Sequence, residues 1–308
     1  IGAAEARRPP HKNPCDLHIG AGTRMDDDLK IEAIENFDPA HWHDVLLDGP
    51  KKSGQLENIK TIVRTVGAAG IMRAGLTQAL HHARLRSAFG RKLAEQPLMQ
   101  SVLADLALES EAAMWLALRL ARTYDSDASD SELALRRVLT PASKYWVCKR
   151  LPHFMAEAME VTGGAGYVEE GPFGRLFRES PLNSIWEGSG NVMCIDVLRS
   201  LARGPQCRDA LAHEWQAARG QHAVFDAAQA QALAWLQRPM QDGDEFAARH
   251  LSERMALLTQ ASLLIRHAPE AVASAFCLAR LGDGWRGTMG SMALPQARQL
   301  IERALVET

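Results

Sequence analysis

From Leu56 onward the apolar side chains return with a helical rhythm. Ile59, Ile62, Val63, Val66, Ala69, Gly70, Ala74, Leu80 and Ala83 keep i, i+3, i+4 spacing, which gathers them on one face of a helix. Strand alternation is nearly absent along the chain, so sandwich, barrel and doubly wound architectures are excluded. The first run closes near Ala88-Phe89-Gly90, with Arg84, Arg86, Arg91 and Lys92 around it. Gly67, Gly70 and Gly75 inside it are expected to let another backbone come close. Gln96-Pro97 restarts a helix, with proline in the first turn. Leu98, Val102, Leu106, Ala113, Leu116 and Leu120 carry it to about Tyr124. After a polar loop, Ser131 is expected to cap a third run from Glu132 to about Thr162. Pro141 predicts a kink or break in that run. Gly163-Gly164-Ala165-Gly166 stops it, residues 171–181 read as a loop, and a fourth helix spans from near Gly190 to Gly204-Pro205. Three long helices and a shorter fourth make residues 55–204 an all-α four-helix bundle.

The flanks differ. Residues 1–54 carry Pro9, Pro10, Pro14, Pro39, Pro50 and an acidic run at 26–28, and read as a poorly organised leader with one short helix near 29–35. His41, His43 and Asp44 lack a second cluster and read as solvated loop residues, so no metal site is expected. Residues 205–308 turn helical again, with breaks near Pro239, Pro269, 282–290 and Pro295. Trp215, Phe225, Trp235, Leu236, Leu257, Leu258, Leu264, Phe276 and Leu281 are expected to build a second small core, a smaller helical extension. The net charge of -2 supplies no global field for nucleic acid or an anionic membrane. Five scattered cysteines without a CxxC or zinc spacing read as reduced thiols of a cytoplasmic protein. No apolar run reaches the roughly 18 residues of a membrane span. The chain opens at Ile1 and not at methionine, so a fragment or processed product is expected.

Chemistry concentrates in Ser184-Ile185-Trp186-Glu187-Gly188-Ser189-Gly190-Asn191. An indole beside Glu187 excludes water, which raises a carboxyl pKa toward the range of a general base. Gly188 and Gly190 allow close backbone approach, and Ser189 or Asn191 is placed to cap the following helix, whose N–H groups suit an anion. The competing reading is a surface turn with an N-cap.

Four segments in order resemble one family. They are Arg86-Ser87-Ala88-Phe89-Gly90, Glu95-Gln96-Pro97, Met159 to Tyr167 with its Gly163-Gly164-Ala165-Gly166 core, and Trp186-Glu187-Gly188-Ser189. Together they are similar to the C-terminal helical domain of the acyl-CoA dehydrogenases, over about residues 56–203. Thr140-Pro141-Ala142-Ser143-Lys144, Cys148-Lys149-Arg150 and Pro181 to Asn191 resemble the alkylation-response branch of that family, whose members carry a further helical region after the bundle.

The resemblance implies bound FAD, a homotetramer, weak acyl-CoA dehydrogenase activity and binding to double-stranded DNA. It assigns Glu187 as the base that removes the α-proton of an acyl thioester. Family members that place the base on the first helix have no counterpart here, because that position is Lys60 and Glu57 lies about a turn away. It assigns Arg86, Phe89, Gln96, Gly163, Gly164, Trp186, Ser189 and Asn191 to FAD, with Arg86 on its pyrophosphate. It assigns Arg199 to DNA, with Arg203 and Arg208 extending the stripe. The family's N-terminal helical domain and its β-domain, which covers one flavin face, have no counterpart in residues 1–54. A catabolic short- or branched-chain acyl-CoA dehydrogenase and a cofactor-free helical assembly module are the alternatives.

Overall fold

The computed structural model describes residues 52–306, apart from 126, 187, 240, 242, 284–286 and 293, with side chains from residue 63 onward. The leader, its expected helix near 29–35, and His41, His43 and Asp44 lie outside the described residues, and so does Glu187. Lys60 and Glu57 fall in the first helix, where only the backbone is described.

The described chain is all-α apart from one small hairpin. Helix α1 (Lys52–Leu85) leads into strands β1 (Ser87–Ala88) and β2 (Arg91–Lys92), paired antiparallel. A 3-10 turn (Leu93–Glu95) then feeds α2 (Pro97–Arg122) and α3 (Asp130–Val161). One turn of helix, α4 (Gly164–Tyr167), precedes α5 (Phe173–Leu182) and α6 (Gly190–Ala202). The remainder holds α7 (Gln206–Gln216), α8 (Ala223–Gln237), α9 (Asp244–His267), α10 (Glu270–Phe276) and α11 (Ala297–Ala304). After α10 the chain continues as a π-helical turn, Cys277–Leu281. Among the described residues no helix is long and apolar enough to cross a membrane.

Helix α3 is the centre. It buries Val138, Leu139, Ala142, Val147, Leu151, Phe154, Met155 and Ala158, and it packs against α1, α2, α5, α6, α7 and α9. Each large apolar side chain taken from water contributes about 1.5–3 kcal/mol. That enclosure explains why the expected break at Pro141 does not occur. The helix runs through both Pro141 and Pro152, because tertiary burial outweighs a local cost of about 3 kcal/mol per proline.

Three further expectations change. The cap of α3 is Ser129 and not Ser131, and its hydroxyl accepts from the Glu132 amide at 3.3 Å. Residues 173–182 form α5 and not a loop, because Phe173, Gly174 and Ser180 are buried and the helix packs on α3. Of the glycines in α1, Gly67 and Gly70 face open space, and Gly75 admits the Met155 side chain, not a backbone. The apolar residues expected to form a second core are buried, Trp235 partly so, and α9 lies against α2, α3 and α6 while α11 lies on α2. The four described cysteines, Cys148, Cys194, Cys207 and Cys277, are buried free thiols.

A charged network sits inside this apolar packing. Arg280, from the π turn, is fully buried and bonds Asp105 and Glu109 of α2. Arg150 of α3 reaches the same Glu109 oxygen at 3.3 Å and the Gly287 carbonyl at 3.3 Å. The second Asp105 oxygen accepts from the Gly290 amide at 2.8 Å. Burial alone drives the Glu109 pKa up, but the Arg150 and Arg280 guanidiniums outweigh it and hold the carboxyl below its ordinary range. Glu109→Gln leaves two buried cations short of their counter-charge and should cost about 3–5 kcal/mol in urea unfolding at neutral pH. Because the folded pKa is lowered, the Glu109 contribution is complete above the ordinary value of 4.5 and decays as pH falls below it. The stability gap between variant and parent should therefore narrow in acid, and a gap independent of pH contradicts this assignment.

Candidate functional site

The stretch that joins α5 to α6 is a set of tight turns. The Ile185 and Trp186 amides both bond the Leu182 carbonyl, at 2.9 and 3.2 Å, which folds the chain back over the end of α5. Gly188 takes φ +107, a conformation that side chains rarely adopt, and a Cβ there meets the Met193 methyl at 2.4 Å. Gly190 lies against α3, where a Cβ meets Lys149 Cε at 2.9 Å and the Tyr145 ring at 3.4 Å.

A buried lysine underlies the turn. Lys144, 1% exposed, donates from Nζ to the Trp186 carbonyl at 2.7 Å and to the Gly188 carbonyl at 2.6 Å. Such charge-assisted bonds contribute about 1.5–3 kcal/mol each. On the other side Arg64 of α1 lies over the Trp186 ring, 3.4 Å from its centroid. That cation–π contact is worth about 0.5–2 kcal/mol. Among the described residues the buried Trp186 Nε1 has no hydrogen-bond partner. Nearby, burial pushes the Cys148 thiol up to about 12, against the smaller opposing effect of Lys144 and Arg64, so it stays protonated and unreactive.

The other expected residues fall in three groups. On the hairpin, Arg86 is exposed, and Phe89 at the tip is 97% exposed with φ +52. Gln96 spends its amide internally, donating to the Ala88 carbonyl at 2.9 Å and so bracing the hairpin. At the end of α3, Gly163 has φ +61, and a Cβ built on Gly163 or Gly164 meets nothing within 4 Å, so this backbone is open to an approaching group. At the start of α6, Ser189 is the N-cap residue but makes no side-chain cap bond. Asn191 sits inside the helix and accepts from Arg249 Nε at 2.9 Å. Neither side chain caps α6.

Arg199 and Arg203 are exposed and Arg208 is half-buried, around the α6–α7 corner. Arg199 lines a groove with Leu198, Ala202, Glu245 and Phe246, so its surroundings are not uniformly basic. Sequence reasoning missed Lys144 and Arg64. The available signal was a lysine inside the apolar run 138–148, since a buried ammonium needs acceptors close by.

Comparison with known proteins places this geometry. The model of the acyl-CoA dehydrogenase C-terminal domain matches residues 58–202. AidB of Escherichia coli is 41% identical over 212 residues, covering 69% of this chain and 38% of AidB. The crystal structure of Caenorhabditis elegans ACDH-11 in complex with C11-CoA superposes with a TM-score of 0.69 at 25% identity, covering 79% of this chain and 46% of that one. A Bacillus anthracis acyl-CoA dehydrogenase complexed with FAD shares the fold, with a TM-score of 0.62 at 17% identity over 85% of this chain and 54% of its own. The chain thus spans less than half the length of AidB.

Gly188→Ala must strain the left-handed turn and displace Met193, and should cost about 1–3 kcal/mol in thermal unfolding. Gly164→Ala enters open space and should change stability by no more than about 0.5 kcal/mol. Equal effects from the two contradict the account of the turn.

Proposed function

Through residues 58–202 the chain belongs to the acyl-CoA dehydrogenase family, and on that premise we propose that it is the C-terminal part of an AidB-like FAD flavoprotein. Its activity is a weak dehydrogenation of acyl-CoA thioesters, and it binds double-stranded DNA in the response to alkylation damage. The observation that carries the reading is the braced turn around position 187, with Lys144 beneath it and Trp186 covered by Arg64. The likeness to AidB, 212 residues long, also extends beyond the family domain itself.

The residues fit a dinucleotide flavin contacted from its edge. Arg86 offers a permanent cation and Phe89 an uncovered ring on one hairpin. The Gly163–Gly164 backbone is open, and Trp186 Nε1 is a buried donor without a partner among the described residues. Arg86 would hold the pyrophosphate, with Phe89, Gln96, Gly163, Gly164, Trp186, Ser189 and Asn191 along the rest. FAD, when bound, supplies the acceptor for the β-hydride. The Glu187 carboxylate takes the α-proton of the thioester, and the Trp186 indole keeps water from it. An assembly of several copies, a homotetramer, lets the hairpin of one copy serve the site of another.

For DNA, Arg199, Arg203 and Arg208 supply cations against phosphates, with no base-reading motif and hence little sequence preference. Retention should weaken with salt, and Arg199→Ala should lower the salt slope by about one.

The test uses the full-length gene product that contains this chain. It should purify with flavin, and Arg86→Ala should lose flavin without loss of helix content. Glu187→Gln should keep flavin yet lower acyl-CoA oxidation by about 10²- to 10⁴-fold. A protein without flavin, or a Glu187→Gln variant with parental turnover, refutes the reading.

A further inference from the structure

We infer that Lys144 is a positioning residue for the base at position 187, an inference that rests on the function proposed above. Its Nζ donates to the carbonyls of Trp186 and Gly188, the residues on either side of position 187, at 2.7 and 2.6 Å. An ammonium has three donors and no acceptor, so it meets two carbonyls at once without competing for their amides. Both peptide planes then take the orientation that aims their oxygens at one buried point. Lys144 is itself fixed, since it is 1% exposed and stands on α3, the helix that most other helices pack against.

The turn is shaped to accept this hold. The φ of +107 at Gly188 lets the chain reverse, so that a second carbonyl returns to the same ammonium. Arg64 covers the Trp186 ring at 3.4 Å, so the residue before 187 is held through its side chain and through its carbonyl. The backbone is held on both sides of position 187, and that hold is what would set the direction of the side chain it bears. Proton abstraction depends on that direction, and a misplacement of 1 Å costs about 100-fold in rate. Lys144 is placed to act through the backbone it holds, which makes it a positioning residue.

The test uses the full-length flavin-loaded protein with Lys144→Met and Lys144→Arg. Lys144→Met should lower kcat by about 100-fold with little change in KM. It should also raise amide hydrogen exchange over residues 186–190, leaving α2 and α9 at parental rates. Lys144→Arg keeps the charge but moves the donors, and should fall between parent and Met variant in both readouts. If the Met variant does not fold, the Arg variant carries the test, with lowered kcat, unchanged KM and faster exchange over 186–190 expected. Parental kcat in a folded variant, or exchange raised evenly over the whole chain, overturns the inference and makes Lys144 an ordinary core staple. A parent protein with no turnover at all, whose 186–190 exchange still responds to Lys144→Met, refutes the proposed function while supporting Lys144 as the residue that holds this turn.

Discussion

A cation inside an apolar bundle must be met by acceptors, and α3 carries two of them. Lys144 and Arg150 stand six positions apart on one helix and both are buried. At about 1.5 Å per residue they are separated by roughly 9 Å along the axis and turned to different faces. Each is answered by a segment distant in sequence. The turn between α5 and α6 brings two carbonyls to Lys144, and the C-terminal segment brings the Gly287 carbonyl to Arg150. Glu109 of α2, which also binds Arg280, completes the second set. Apolar burial packs α3 without regard to direction, whereas these bonds fix which loop lies where.

This arrangement joins the packing of the bundle to the turn of the candidate site. The same helix that holds the bundle together sets the backbone on either side of position 187. The turn is thereby tied to the most enclosed element of the described chain. By contrast the hairpin, the glycine turn at 163–164, Arg199 and Arg203 lie at the surface. Phe89 illustrates the difference, with a ring 97% exposed on a positive-φ residue. Such a residue adds little to the fold of a single copy and makes sense as a contact surface.

The all-α class was legible because helical spacing dominates from Leu56 onward. Local signals failed where packing overrode them. Pro141 does not interrupt a helix enclosed on most sides, and α5 forms because Phe173 and Ser180 find α3. The cap moved from Ser131 to Ser129 because its hydroxyl must reach an amide three residues on. Strands of two residues are too short to show alternation, so the hairpin was invisible. At the site, the turn stood out as a motif, while its support did not. Lys144 and Arg64 come from two other helices, and nothing in linear spacing joins them to Trp186.

The most direct measurement is α-proton exchange of an acyl-CoA in deuterated water, followed by NMR in the full-length flavin-loaded protein under conditions that prevent turnover. The account predicts deuterium at the α-carbon with the parent and none above background with Glu187→Gln. Equal exchange in the two proteins contradicts it, because the proton is then taken by some other group.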